Sequence, residues 1–367
     1  MENGDTPLNP TGIEDTGHPA DRMWGTCDPS RQGDFVCRSI CFGRSRPYSR
    51  RVIGFAVGVI VVSLVGCGTD PSAGSLGPPR VTATFSVGAG PLSDVASDTS
   101  THKGYVTSRD DDALYVVDAE SRTATIKVGK APAGVAVDPT TQTAYVTGEN
   151  SVSVVDIASG SITGKIKVGN DPQWIEVDSS THTVYVANVR DGSVSVIDAE
   201  SRTVTGTVKV GTSPGKMGAD PTSHLLYVSN RGSGGVSVID PAKAGVIDTI
   251  TVGRSPGDVA IDPPTRTAFI PNEDDDSVSV LDLQKRTVVG TIKVGDQPVA
   301  ATVDSDAHTV FVTNSGSASV SAIDSEKRAV TDTVAVRDGP QTVAADPSTH
   351  TAWVVNYKDN SMSVIER

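Results

Sequence analysis

The sequence predicts an all-β fold, seven four-stranded blades closed into a ring as a seven-bladed β-propeller. Three observations predict it. A unit of about 42 residues recurs seven times. Each unit carries short runs of alternating apolar and polar residues. The strand missing from the last unit is found before the first.

The repeat is marked by Gly-x-x-Pro at Gly88/Pro91, Gly129/Pro132, Gly169/Pro172, Gly211/Pro214, Gly253/Pro256 and Gly295/Pro298. A seventh copy keeps Pro340 and has Arg337 in the glycine slot. Successive prolines are 41, 40, 42, 42, 42 and 42 residues apart. After each proline a Val/Ala-rich strand runs to an aspartate: Asp98, Asp138, Asp178, Asp220, Asp262, Asp304 and Asp346. A turn rich in Pro, Ser and Thr follows, where an aspartate side chain bonds the turn backbone. The second strand carries an aromatic residue: Tyr105, Tyr145, Tyr185, Tyr227, Phe269, Phe311 and Trp353. These rings are expected in the core between blades. The third strand is Ser-Val-Ser-Val-Ile-Asp at 193–198 and varied elsewhere, and the fourth is exemplified by residues 204–210. A helical repeat of similar period would need apolar spacing of 3.6 residues, which is absent, and so many Gly, Pro and β-branched residues would break helices.

The ends of the repeat predict closure. The last unit stops at Arg367, after its third strand. Residues 80–87 match the fourth-strand pattern and are expected to pair beside 361–366, completing blade seven and covering the open edge at the seam.

The segments Tyr145-Val146-Thr147-Gly148, Tyr185-Val186-Ala187-Asn188, Tyr227-Val228-Ser229-Asn230 and Phe311-Val312-Thr313-Asn314 are similar to the YVTN β-propeller repeat. Residues 80–367 resemble that family and its YncE-like members over all seven blades. The resemblance implies an exported bacterial protein. It implies no single activity, because propellers host enzymes, ligand binders and scaffolds alike. Some YncE-like members bind DNA.

The chain of 367 residues carries a formal charge of −13, and residues 1–66 are balanced, with seven basic and seven acidic residues. The acidic body disfavours nucleic acid as a partner, since phosphate contacts need a basic surface. The four cysteines, Cys27, Cys37, Cys41 and Cys67, all precede the repeats. Residues 44–66 read as a secretory signal: a basic segment, then an uncharged, mostly apolar run of 15 residues from Val52 to Gly66. Leu64-Val65-Gly66-Cys67 resembles the bacterial lipoprotein box, which implies lipid attachment at Cys67 and an extracytoplasmic, envelope-anchored location. An uncleaved anchor is the alternative, although spanning needs about 20 apolar residues. Residues 67–79 form a Gly/Ser/Pro tether. Residues 1–43 read as a disordered or mis-assigned leader, and His18, Cys27, Cys37 and Cys41 match no zinc spacing.

Recurrence separates scaffold from site. His102, His182, His224, His308 and His350 share one turn slot, spread round a rim, and cannot converge on a metal. The first strand of each blade is expected to line the channel. Its middle position reads Ala96, Ala136, Glu176, Gly218, Ala260, Thr302 and Ala344, so Glu176 stands alone. One tier away from the repeated aspartates the ring reads Asp94, Gly134, Trp174, Lys216, Asp258, Ala300 and Thr342. This variable tier is a candidate pocket, with Trp174 for stacking, Lys216 as cation and Asp94 and Asp258 as acceptors; neutral variation at a solvent-exposed rim is the competing reading. The loops on the same face add Arg109, Arg190, Arg231, Arg254, Arg337 and Tyr357, a candidate anion-binding crown. Two acidic runs, 110–112 and 273–276, lack the spacing of a calcium loop and read as solvated acid.

These residues favour a monomeric recognition module for a protein, glycan or small molecule, joined to the membrane through Cys67. The alternatives are a lactonase- or lyase-type enzyme, or a binder of anionic ligands or DNA. No acid–base pair of recognisable spacing is present, so no catalytic residue, metal or cofactor is assigned. For haem, only Tyr357 and Met217 offer side chains on that face.

Overall fold

The computed structural model describes residues 76–367, and the expectations for the leader, the signal segment and Cys67 lie outside these residues. The described chain forms seven four-stranded antiparallel sheets. Blade 1 begins with the strand Leu92–Asp98. The corresponding innermost strands of blades 2 to 7 are Val135–Asp138, Pro172–Asp178, Pro214–Ala219, Ala260–Asp262, Pro298–Asp304 and Pro340–Asp346. Each packs against the innermost strands of its two neighbours, and blade 7 returns to blade 1. The ring therefore closes around a central channel.

The seam forms as the sequence predicts. The strand Arg80–Ser86 pairs antiparallel with Ser361–Glu366, from Arg80 opposite Glu366 to Ser86 opposite Ser361. One sheet thus contains both ends of the repeat region, and the edge strand of blade 7 comes from the N-terminal side.

Seven apolar cores lie between blades. Trp353 of blade 7 packs with Val95 and Val106 of blade 1, and Tyr105 of blade 1 packs with Val135 and Val146 of blade 2. The other aromatic residues of the second strands repeat this arrangement. Burying an aromatic side chain contributes about 1.5–3 kcal/mol. The polar tips of two rings are satisfied within the core: Tyr227 Oη donates to the Leu283 carbonyl at 3.1 Å, and Trp353 Nε1 donates to the Asp118 carbonyl at 3.3 Å.

The polar letters of the repeat also have partners. The asparagine ending the second strand donates to serines of the third, as from Asn188 Nδ2 to Ser195 Oγ (2.9 Å) and from Asn314 Nδ2 to Ser321 Oγ (3.0 Å). The same side chain explains the glycine of Gly-x-x-Pro. A Cβ on Gly169 would sit 2.6 Å from Asn188 Cγ, and one on Gly253 would sit 2.5 Å from Asn272 Cγ.

The recurring aspartates bond their turns as expected: Asp178 Oδ1 accepts from Ser180 N at 3.0 Å. They also clasp the next blade, which the sequence reading did not foresee. His182 of blade 3 reaches Asp138 of blade 2 at 3.1 Å, His224 reaches Asp178 at 3.1 Å, and His350 reaches Asp304 at 3.0 Å. His102 of blade 1 reaches Asp346 of blade 7 at 2.8 Å and joins the last blade to the first. Gln142 and Arg266 fill the slot in blades 2 and 5, 3.4 Å from Asp98 and 3.8 Å from Asp220. His308 differs and lies 4.0 Å from Glu326. All seven slot residues have φ between 49° and 55°. That left-handed conformation costs a side chain about 1–2 kcal/mol, which the clasp offsets in part.

Candidate functional site

The innermost strands run from the prolines, on the face carrying the long loops, to the aspartates, on the face carrying the tight turns. Side chains alternate along them, so each strand offers the channel a residue at two tiers. The middle tier is as expected: Ala96, Ala136, Glu176, Gly218, Ala260, Thr302 and Ala344 all line the channel. Glu176 pairs across its sheet with Tyr185 and is the one carboxyl at this tier.

The tier nearer the loop face is not a solvent-exposed rim. Asp94, Asp258, Ala300 and Thr342 are all buried. Lys216, from blade 4, extends across the channel to blade 1, where its Nζ lies 2.8 Å from Asp94 Oδ1. It also lies 3.6 Å from Asp258 Oδ2 of blade 5 and 5.6 Å from the centre of the Trp174 ring of blade 3. The backbone fixes both carboxylates. Asp94 Oδ2 accepts from Val135 N at 3.2 Å, and Asp258 Oδ1 accepts from Val259 N at 2.7 Å. Asp94 N in turn donates to Thr107 Oγ1 at 3.0 Å.

Enclosure controls the charges. It pushes the Glu176 carboxyl up to about 8, with the nearby Asp258 carboxylate adding to the effect. A backbone hydrogen bond from Ala219 and the Lys216 ammonium oppose this rise, and Asp94 adds a smaller push upward. Burial opposes charge on Lys216, yet Asp94 and Asp258 outweigh it and hold the ammonium above the ordinary lysine range. Burial raises Asp258 as well, against the opposing pull of Lys216. At neutral pH the cluster thus holds a charged lysine and a mostly protonated Glu176.

Lys216 and Asp258 stand between two cavities. On the turn side the channel is a chamber of about 620 Å³, whose wall includes Glu176. On the loop side a smaller cavity of about 190 Å³ is lined by Trp174, Val189, Pro214, Pro256, Ala300 and Thr342, among others. Thr342 Oγ1 is buried in that wall without a hydrogen-bond partner among the described residues. A third cleft of about 420 Å³ lies over blades 1 to 3, between Arg109 and Arg190.

The expected crown of arginines is therefore dispersed. Arg231 borders the Trp174 cavity and is ion-paired with Glu273 of the next blade. Arg254 is bound to Asp275 at 2.7 Å. Arg254, Arg337 and Tyr357 line none of the three cavities. The acidic runs are structural rather than simply solvated. Asp111 accepts from Ala89 N and Gly90 N, both at 3.0 Å, and from Tyr115 Oη at 2.8 Å. These bonds, led by that from Gly90, pull its carboxyl down to about 2. Asp276 accepts from Gln297 N at 3.0 Å. Met217 packs in the core between blades 3 and 4 and also borders the channel chamber.

A sequence profile of the family described as "Lactonase, 7-bladed beta-propeller" matches residues 141–252, under one third of the chain. No curated protein matches the chain. Among solved structures, hydrazine synthase of Kuenenia stuttgartiensis is similar, with a TM-score of 0.68 at 20% identity, over 76% of this chain and 96% of that one. At this identity the likeness concerns the fold alone.

Proposed function

We propose that the protein is an exported, lipid-anchored recognition module that binds a small ligand at the loop-side mouth of its channel. The observation that carries this reading is the Trp174 cavity. It joins a flat aromatic face to apolar walls of Val189, Pro214 and Pro256. It also holds few polar groups, among them Lys216 and the unpartnered Thr342 hydroxyl. Concave, mostly apolar sites with a few placed polar groups are the usual form of a small-molecule site. Trp174 is preorganised for this role by the ammonium above its ring. The envelope location rests on the sequence around Cys67.

Native mass spectrometry of the protein extracted from its own membranes tests both halves. The reading expects a mature chain beginning at a lipid-bearing Cys67, with a small-molecule adduct that Trp174→Ala removes. An unmodified, uncleaved chain sinks the anchor, and an adduct equally retained by Trp174→Ala sinks the site.

A second reading, a hydrolase of lactone type, is favoured by one observation, the profile match over residues 141–252. Glu176, held protonated beside the Asp258 carboxyl, is the group suited to donate a proton. Turnover of a panel of lactones, abolished in Glu176→Gln, would establish it in place of pure recognition.

A further inference from the structure

The turn-side chamber has a composition that the loop-side reading does not use. Around Lys216 the channel gathers three carboxyls, Asp94, Asp258 and Glu176, against one ammonium. Two of them lie within 4 Å of that ammonium, and Glu176 makes no ion pair among the described residues. Its tier is otherwise alanine, glycine or threonine, so the scaffold does not require an acid there. The chamber beside it, about 620 Å³, has a mixed wall in which Ala96, Ala136, Ala260 and Ala344 form an apolar strip beside polar groups such as Ser97, Ser180 and Thr302.

We infer that this chamber binds an organic ammonium ion, whose charge pairs with the Glu176 carboxylate while its hydrocarbon lies along the alanine-lined wall. Two arguments select the class. Glu176 is partly enclosed, has a backbone hydrogen bond from Ala219 and no ion pair among the described residues, so a cation that pairs with it offsets the desolvation of its carboxylate. Among the described residues, no three His, Cys, Asp or Glu side chains converge as a metal site, and the alanine strip of the wall suits a cation that carries its own apolar surface.

Binding is linked to a proton. The acid Glu176–COOH loses its proton to solvent as the carboxylate pairs with R–NH3⁺, so one proton leaves for each cation bound. The groups facing Glu176 are Asp258, Asp94, Lys216, the Ala219 backbone and, across the sheet, Tyr185. Asp94 and Asp258 favour entry of a further cation, and Lys216 opposes it. With Glu176 ionised the cluster still carries more negative than positive groups. The site lies on the far side of Lys216 from Trp174, so it stands or falls independently of the loop-side reading.

Calorimetric titration of the described ring, in its full chain, with n-pentylamine tests the inference. Pentan-1-ol and pentanoate serve as neutral and anionic controls. Saturable binding of the amine alone is expected. Its affinity should rise roughly tenfold per pH unit from about pH 5.5 to 7.5, while the amine itself stays protonated. Heats in buffers of different ionisation enthalpy should report close to one proton released. Glu176→Gln should weaken binding at least about tenfold and flatten the pH dependence. Glu176→Ala, which installs the residue of blades 1, 2, 5 and 7, should do the same with an unchanged circular dichroism spectrum. Equal binding of pentan-1-ol, affinity untouched by both variants, or no saturable heat up to about 10 mM amine would overturn it.

Discussion

Lys216 Nζ lies 2.8 Å from Asp94 Oδ1, although the two residues belong to blades 4 and 1 on opposite sides of the channel. A lysine stem is long enough to cross the narrow tier, and both termini of the contact are held. Asp94 is fixed by Val135 N, and the ammonium is shared with Asp258 and the Trp174 ring. The contact bars the channel and separates the two cavities on which the functional readings rest.

Glu176 makes stability depend on pH in a defined direction. Its carboxyl is raised to about 8 in the folded ring, from an ordinary value near 4.5. Between those values the folded state holds the proton more tightly than the unfolded chain, so its contribution to stability declines as pH rises and is flat above about 8. Glu176→Gln removes that decline. Urea midpoints should match those of the parent near pH 4 and exceed them by pH 8. A constant difference across this range would contradict the assignment.

Three of the clasps between blades, those of Asp138, Asp178 and Asp346, fail from the acid side. The Asp138, Asp178 and Asp346 carboxyls are buried, which raises them, but hydrogen bonds from turn hydroxyls and from His182, His224 and His102 outweigh burial and leave them below the ordinary value. Their contribution is complete above the unfolded value of about 4 and is lost as pH falls through the lower folded value. Melting temperature should therefore drop below about pH 4. Asp178→Ala, which strands Ser180 and His224, should cost about 1–3 kcal/mol at pH 7 and blunt the acid transition.

Ring closure is tested by deleting residues 80–86. The deletion exposes the edge of Ser361–Glu366 and removes Val81 and Phe85, which pack on the flanking cores. The melting temperature should fall, and the exposed edge should promote association visible by size-exclusion chromatography. An unchanged melting temperature would contradict the closure.

The fold was legible because recurrence at a period of about 42 residues reports which positions are equivalent, and equivalent positions must do the same job seven times. The exception at Glu176 was legible for the same reason, as was the variable tier of Asp94, Trp174, Lys216 and Asp258. Recurrence does not report lateral neighbours. That His224 grips Asp178 of the preceding blade, or that Arg231 meets Glu273 of the following one, depends on the rotation between blades, which no spacing encodes. The reach of Lys216 depends on the channel's width and on a rotamer. Position alone therefore left Asp94 and Lys216 between a pocket and a solvent-exposed rim, and the 2% exposure of Asp94 decides against the rim.

The most direct test of the barred channel is a double-mutant cycle on Asp94→Asn and Lys216→Met, read as unfolding free energy at pH 7. Lys216→Met leaves Asp94 and Asp258 without their counter-ion and should cost about 3–5 kcal/mol, whereas Asp94→Asn leaves the ammonium paired with Asp258 and should cost less. The double variant should cost less than the sum by at least about 1.5 kcal/mol, since residues in direct contact couple. Additivity within about 0.5 kcal/mol would mean that the two residues do not meet across the channel, and the division into two cavities would go with them.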